Sequence, residues 1–316
     1  MSFSQDVKTE LQSLKHLSCC NKAELSAMLH INGSIEKNSE GISIVFQTTN
    51  NAVVRRFMAL TKELYKIDLT ILKKQVKKLR KHDLFVVKIT EKVNFLISDL
   101  SLINEASIFF QDVDGRLIAD ECCKKAYLRG VFLASGSINS PETSAYHMEI
   151  QSYSLQQAKI IQDLCQEFSL NAKVSSNKRG YITYIKEAEK IADFLRVIGA
   201  NNSLFEFEDS RIKRDFKNSI NRVINCDLAN EKKAMDAANK QLEYIEIIEK
   251  KAKTNLPKSI QEAIFLRKTY PEASLLELSY VSIEHFDEQI SKSALNHRFR
   301  AIKDLANKVL IEEVIK

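Results

Sequence analysis

Two stretches of the sequence are near copies, CCNKAELSAMLHINGSIE at residues 19–36 and CCKKAYLRGVFLASGSIN at residues 122–139. They are offset by 103 residues and predict two similar halves. Each copy reads as a helix that ends at a glycine, Gly33 or Gly136, a residue well suited to turn the chain at a C-terminus. Slim side chains recur every four residues on one face of each helix and predict a close helix crossing. These residues are Ala23, Ala27 and Ile31 in the first copy and Ala126, Gly130 and Ala134 in the second.

The remainder of each half repeats one order of helix and strand patterns. Periodicities of 3.6 and 2 predict αββαββα for about residues 1–104 and again for residues 105–203. Each half has a one-sided sheet that needs cover, so we expect the halves to share one core across residues 1–203. The predicted fold class is α+β, two pseudo-symmetric halves followed by an all-α domain.

The composition changes after residue 203. Residues 204–256 are charged and helical, and they predict a partly exposed linker of two helices bent near residues 225–230. Pro257 favours the start of a new helix. Residues 257–316 contain no strand pattern and read as three helices, so we predict a separate domain there.

The last predicted helix, from Lys292 to about Val309, has two unlike faces. One face is apolar, whereas the other offers amide and guanidinium groups, which read base edges, and lysine and serine groups, which reach phosphates. This arrangement is typical of a helix-turn-helix domain, and the alternative is an ordinary helical tail with a solvated face. The candidate DNA-binding residues are Ser274, Ser291, Lys292, Ser293, Asn296, His297, Arg300 and Lys303.

The segments Leu25–Gly33 and Leu128–Gly136 resemble the nine-residue motif of LAGLIDADG homing endonucleases. That resemblance implies two sheets that form a saddle over DNA, with one metal-binding acid at the penultimate position of each motif. The equivalent residues are Asn32 and Ser135, which lack the anionic oxygens that Mg²⁺ prefers. We therefore predict that the fold is kept, that no residue is catalytic and that the protein is not an enzyme.

Together with the stretch SKSALNHRFRAIKDLA at residues 291–306, these segments closely resemble the WhiA family of bacterial DNA-binding regulators. The resemblance implies a transcription regulator that binds double-stranded DNA and acts with transcription machinery or another regulator. Its role would lie in cell division and chromosome segregation, and in sporulation where the organism sporulates. The alternatives are an active LAGLIDADG endonuclease and a scaffold whose N-terminal domain binds a protein.

Two basic clusters are further candidates for contacts with DNA phosphates. The first cluster consists of lysines in a predicted hairpin of the first half. The alternative is that these lysines lie on an edge strand and prevent aggregation. The second cluster consists of arginines of the linker, and the alternative is a solvated face, as in most charge runs. The candidate residues are Lys73, Lys74, Lys77, Lys78, Arg211 and Arg214.

The composition excludes several classes of protein. The chain has 316 residues, of which 44% are hydrophobic, enough for buried cores. The net charge of +6 only hints at an anionic partner. The N-terminus does not resemble a signal peptide and no apolar stretch is long enough to cross a membrane, so we expect a cytoplasmic, nucleoid-associated protein without a membrane partner. No phosphate loop, nucleophile elbow or triad is visible, and we expect no cofactor and no small-molecule substrate.

Two adjacent cysteine pairs, Cys19-Cys20 and Cys122-Cys123, occupy equivalent positions of the repeat. A pseudo-twofold axis could bring the four thiolates together as a zinc site. Adjacent residues point in different directions, however, and zinc ligands are usually separated by two or more residues. The sequence therefore favours reduced, buried apolar thiols and no metal.

Overall fold

The computed structural model describes residues 2–39, 41–75, 83–103, 113–143, 145–251 and 256–314. The chain divides into two compact units, Met1–Arg214 and Asp215–Lys316. The domain boundaries predicted after residues 104, 203 and 256 stay predictions.

The first half of the N-terminal unit has the predicted order of elements. Its sheet is antiparallel, with strand order β1-β2-β4-β3, so that β3 lies at an edge. Asn50 begins α3, because its side chain accepts hydrogen bonds from the backbone of Ala52 and Val53. The elements are α1 (Phe3–Gln12), α2 (Ser18–Asn32), β1 (Gly33–Asn38), β2 (Gly41–Thr48), α3 (Asn51–Tyr65), β3 (Ile71–Gln75), β4 (Asp83–Ile89) and α4 (Val93–Asp99).

The second half repeats this order, with an antiparallel sheet of strand order β5-β6-β8-β7. The two sheets thus have the same topology, and the predicted fold class is confirmed. The elements are α5 (Glu121–Ser135), β5 (Gly136–Ile138), β6 (Met148–Ser152), α6 (Leu155–Glu167), β7 (Lys173–Asn177), β8 (Gly180–Ile185) and α7 (Ala188–Ile198).

The crossing of α2 and α5 lies at the centre of this unit. Ala23, Ala27 and Ala126 are completely buried there. A Cβ atom added at Gly130 would collide with the carbonyl oxygen of Glu24 and lie 2.7 Å from the Cβ of Ala27. The slim faces therefore let the two backbones approach as the sequence predicts.

The glycines that follow the two helices act differently from the prediction. Gly33 and Gly136 have extended backbones, with φ of −90° and −69°, so neither makes a left-handed turn. Each helix instead runs directly into a strand. A Cβ at Gly33 would collide with the carbonyl oxygen of Leu29, and one at Gly136 would lie 2.6 Å from that of Phe132. A close approach to the last helical turn, rather than a positive φ, explains both glycines.

A buried ion triad joins three helices beside the crossing. The carboxylate of Glu24 on α2 accepts hydrogen bonds from Nε of Arg56 on α3 at 2.7 Å and from Nε of Arg129 on α5 at 2.8 Å. All three side chains are almost fully buried. Charges removed from water in this way are stable only when paired, so the triad fixes how α3 and α5 pack on α2.

The helix α8 (Asn201–Lys251) is continuous, so the bend predicted near residues 225–230 is wrong. That stretch contains Asn and Asp, which lower helix propensity, but no proline or glycine that would break a helix. The start of α8 is capped from α1. The Glu10 carboxylate accepts hydrogen bonds from the backbone of Asn202 at 2.7 Å and of Ser203 at 2.9 Å.

The C-terminal unit contains the three predicted helices, α9 (Lys258–Thr269), α10 (Leu275–Phe286) and α11 (Lys292–Val314). The helix α11 extends beyond Val309, where the sequence predicts its end. The buried core of this unit includes Ile245 and Ile248 of α8, Ile264 of α9, Leu278 of α10 and Phe299 of α11. Among the described residues, no helix has the length and apolar character needed to span a membrane.

Candidate nucleic-acid interface

The turn between α10 and α11 is held by a buried serine. The Oγ atom of Ser282 donates a hydrogen bond to the carbonyl oxygen of Ser279 and accepts one from the backbone of Ile290, both at 2.8 Å. Ile290 is itself buried in the core. The amino end of α11 therefore has a fixed place relative to α10.

A second anchor is Arg267, which is 1% exposed at the end of α9. Its guanidinium donates to the carbonyl oxygen of Ala273 before α10 and to Oε1 of Gln241 on α8, and lies 5.4 Å from the ring centroid of Phe299 on α11. Burial lowers the pKa of Arg267 to about 10. Arg267 is not among the candidate residues predicted from the sequence. Its spacing of three from Ile264, on the apolar face of α9, is the signal that could have found it.

The structure confirms that the two faces of α11 differ. Leu295, Phe299, Ile302 and Ala306 are buried, and Leu305 is half-buried. The opposite face brings together six predicted DNA-binding residues, all exposed. They are Lys292, Ser293, Asn296, His297, Arg300 and Lys303.

The two remaining predicted residues cap helices. The Oγ atom of Ser274 accepts a hydrogen bond from the backbone of Glu277 in a complete capping box, and that of Ser291 accepts one from the backbone of Ala294. DNA contacts by any of these eight residues stay predictions. A neighbouring arginine has another partner, since Arg298 on α11 donates to the Glu262 carboxylate at 2.8 Å.

The positions that correspond to the endonuclease acids lie at the carboxyl ends of α2 and α5. The Nδ2 atom of Asn32 donates a hydrogen bond to the carbonyl oxygen of Ala134, at 2.8 Å, on the other helix. The Oγ atom of Ser135 donates to the carbonyl oxygen of Gln151, at 2.7 Å, on β6. Both neutral side chains thus act as hydrogen-bond donors to the backbone, whereas a metal site needs acceptors.

The two described lysines of the first-half hairpin lie on opposite faces of β3. Lys73 is opposite Phe85, which packs on the core, and its Nζ atom lies 2.8 Å from the Asp83 carboxylate. Lys74 is opposite Leu84, one residue further on, and so belongs to the open face of the sheet. Lys77 and Lys78 lie outside the described residues.

The two predicted arginines on α8 already have protein partners. Nε of Arg211 lies 3.1 Å from the Glu208 carboxylate. The guanidinium of Arg214 lies 3.9 Å from the ring centroid of Tyr146 and donates to the carbonyl oxygen of Thr143. The Arg211 pair lies within α8, whereas the contacts of Arg214 join the first part of α8 to the rest of the N-terminal unit, a role that the sequence does not reveal. Phosphate contacts by the two arginines stay predictions.

Comparison with known families covers most of the chain. The family described as WhiA N-terminal LAGLIDADG-like domain matches residues 18–103, and the WhiA LAGLIDADG-like domain matches residues 124–217. The WhiA C-terminal HTH domain matches residues 220–306, which include the exposed face of α11. The probable cell division proteins WhiA of Bacillus cereus strain AH187 and Bacillus anthracis strain CDC 684 are both 42% identical over 316 residues, 100% of this chain and 99% of theirs.

The chain belongs to the WhiA family.

Structural comparison agrees with this membership. The full-length WhiA of Thermatoga maritima has a TM-score of 0.59 and 23% sequence identity, and the match covers 98% of this chain and 99% of that one. Its identity is low, so the likeness shows the fold alone. The WhiA fold of this chain therefore combines the LAGLIDADG-like unit with the helix-turn-helix unit, as the sequence predicts.

This WhiA family member also has a cluster of four cysteines, at the amino ends of α2 and α5. The Sγ atoms of Cys19, Cys20, Cys122 and Cys123 all lie within 4.8 Å of one another. The adjacent cysteines therefore converge, whereas the sequence predicts side chains that point in different directions. Side chains in a helix lean toward its N-terminus, and in the first turn no preceding turn separates them.

The environment divides the cluster into two kinds of thiol. Cys20 and Cys123 are 4% and 3% exposed, whereas Cys19 and Cys122 are exposed. Burial raises the pKa of Cys20 to about 12 and also raises the pKa of Cys123. Burial opposes ionisation of Cys19 too, but hydrogen bonds with Cys123 and Cys20 outweigh it and lower the pKa of Cys19.

Proposed function

We propose that this WhiA family protein is a regulator of transcription that binds double-stranded DNA through α11. The observation that supports this proposal most strongly is the exposed polar face of α11 on a helix whose other face is buried. Asn296 and Arg300 are one helical turn apart, so both address the same few base pairs in a major groove. Lys292 and Lys303 supply charge for the flanking phosphates.

The biological setting of the proposal comes from the relatives, which are named as probable cell division proteins. We propose that this protein acts in cell division and chromosome segregation, and in sporulation where the organism sporulates. It would act at the nucleoid, in the cytoplasm, together with transcription machinery or another regulator. A genome-wide map of binding sites, made with the wild type and with Asn296→Ala, tests this proposal. A map without binding sites at genes for cell division or chromosome segregation would contradict it.

The proposed DNA-binding role of α11 is tested by measuring binding to DNA duplexes. A binding site is first selected from random DNA, and affinity is then measured on that site and on a scrambled duplex across a salt series. Asn296→Ala and Arg300→Ala should each cost about 1–3 kcal/mol on the selected site and little on the scrambled one. Asn307→Ala is the matched control, because this exposed residue lies on the same helix eleven residues further along. Equal weakening on both duplexes would show that α11 does not read bases.

We also propose that the protein does not cleave DNA. The support is the chemistry at Asn32 and Ser135, where an amide and a hydroxyl that donate to carbonyl oxygens occupy the positions of the endonuclease acids. Supercoiled plasmid that carries the selected site should stay intact with Mg²⁺ or Mn²⁺. Specific, metal-dependent nicking by the purified wild type would establish the alternative, an active endonuclease.

A further inference from the structure

The four-cysteine cluster contains an equal contribution from each half of the repeat. Cys19 and Cys20 lie in the first turn of α2, and Cys122 and Cys123 lie in the first turn of α5. Their sulfur atoms lie within 4.8 Å of one another, and those of Cys122 and Cys123 are 4.0 Å apart. Among the described residues, these four cysteines form the group of three or more neighbouring His, Cys, Asp or Glu side chains that could hold a metal ion.

The size of the cluster matches a tetrahedral zinc site. Zinc–sulfur bonds of about 2.3 Å place the sulfur atoms of a tetrahedron about 3.8 Å apart. The observed limit of 4.8 Å is larger by about 1 Å, which small rotations of exposed side chains can remove. A coordinated ion would replace weak thiol–thiol contacts with four metal–sulfur bonds.

Two helix ends counteract the burial that raises the pKa of Cys20 and Cys123. The first turns of two helices meet at the cluster, and each contributes unsatisfied N–H groups and the positive end of a helix dipole. Thiol groups at such ends ionise more readily. Lys22 on α2 and its repeat equivalent Lys125 on α5 lie in the adjoining turns, where they pair with Asp99 and Glu121.

An ion also has a path to the cluster. A cleft of about 400 Å³ reaches Cys19 and Cys123, and its walls include Asp120 and two paired carboxylates, Asp99 with Lys22 and Asp114 with Arg116. The cleft gives an ion from solution access to these two cysteines, and Cys122 is itself exposed.

We propose that Cys19, Cys20, Cys122 and Cys123 bind one Zn²⁺ ion that joins the amino ends of α2 and α5. Each thiol loses its proton to solvent as its sulfur binds the ion. Because four protein ligands fill the tetrahedron, the ion is structural and leaves no position for a substrate. It connects the two halves of the LAGLIDADG-like unit and is independent of the DNA-binding role of α11.

The experiment uses the full-length chain, without a histidine tag, produced with zinc and purified under reducing, chelator-free conditions. Elemental analysis should find one zinc per chain, and Co²⁺ added to apoprotein should give the intense visible bands of tetrahedral cobalt thiolate. The double variant Cys19→Ser with Cys122→Ser should lose the zinc and the cobalt bands. Both positions are exposed, so these substitutions do not change the buried core. Cys226→Ser is the matched control, an exposed cysteine on α8 outside the cluster, and should retain zinc.

Stability gives a second readout. Removal of the ion with a chelator should lower the Tm of the wild type and of Cys226→Ser and leave the Tm of the double variant unchanged. Three results would overturn the proposal. They are wild-type protein without zinc or cobalt bands, zinc that persists in the double variant, and iron or a disulfide within the cluster in place of zinc.

Discussion

The amino and carboxyl ends of the α2–α5 helix pair differ in whether the two halves carry the same residues. At the amino ends both halves carry two adjacent cysteines, and the four sulfur atoms meet. At the carboxyl ends the halves carry Asn32 and Ser135, which bond to different partners, one on the other helix and one on a strand. The symmetric set of ligands therefore lies at the amino ends, opposite the end where LAGLIDADG endonucleases hold their metal. Between the two ends, Ala23, Ala27, Ala126 and Gly130 let the helices pack closely.

The largest effect should come from the buried triad, which holds the helix pair between its two ends. Glu24→Gln leaves two buried guanidiniums without a charged partner and should cost about 3–5 kcal/mol in free energy of unfolding. Asp193→Asn is the matched control, because Asp193 pairs with Arg196 at the surface, and it should cost about 0–1 kcal/mol. Urea unfolding measures both. A small loss for Glu24→Gln would mean that the crossing does not depend on the triad.

The next effect concerns the close approach of the helices. Gly130→Leu forces a side chain against the backbone of α2 and should cost about 1–3 kcal/mol or more through overpacking. Gly115→Leu is the control, since a Cβ there would meet nothing described within 4 Å. Thermal unfolding, followed by circular dichroism, compares the two. An equal Tm for Gly130→Leu and the wild type would show that Gly130 does not lie at a close helix crossing.

A smaller effect should appear at the carboxyl ends. Asn32→Ala removes the hydrogen bond between the two helices and should cost about 0.5–1.5 kcal/mol. Asn94→Ala, at an exposed position of α4, controls for the loss of an amide. Chemical unfolding with both variants in parallel gives the difference. Stability that does not change on loss of Asn32 would show that this end of the pair is held by backbone packing alone.

The smallest effect should come from Lys74, and it tests whether the open face of the first sheet contacts DNA. Lys74→Ala should make the salt dependence of binding shallower by about 0.9 in log–log slope, because one phosphate contact is lost. Lys73→Ala is the matched control on the other face, where the ammonium pairs with Asp83. Binding to a scrambled duplex at several salt concentrations measures the slope. If Lys74→Ala leaves it unchanged, the result favours the scaffold alternative for the N-terminal unit.

Much of this structure follows from patterns that are local in sequence. The repeat predicts the crossing, and periodicity predicts the order of strands and helices and the two faces of α11. Features made by distant residues could not be predicted in this way. The partners of Glu24 come from α3 and α5, the Arg267 guanidinium reaches across three elements, and the cysteine sulfurs converge only because two helix ends meet.

The cap that Glu10 places on α8 has a consequence for synthesis on the ribosome. The carboxylate and its backbone partners are separated by 192 and 193 residues. The Oγ atom of Ser4, on the same helix, also bonds to both backbone groups of Ile138. The helix α1 thus completes its native contacts only after a further 193 residues have been translated. Because α1 also packs against α3 of its own half, synthesis of the second half adds the long-range part of these contacts, and non-local contacts of this kind form slowly.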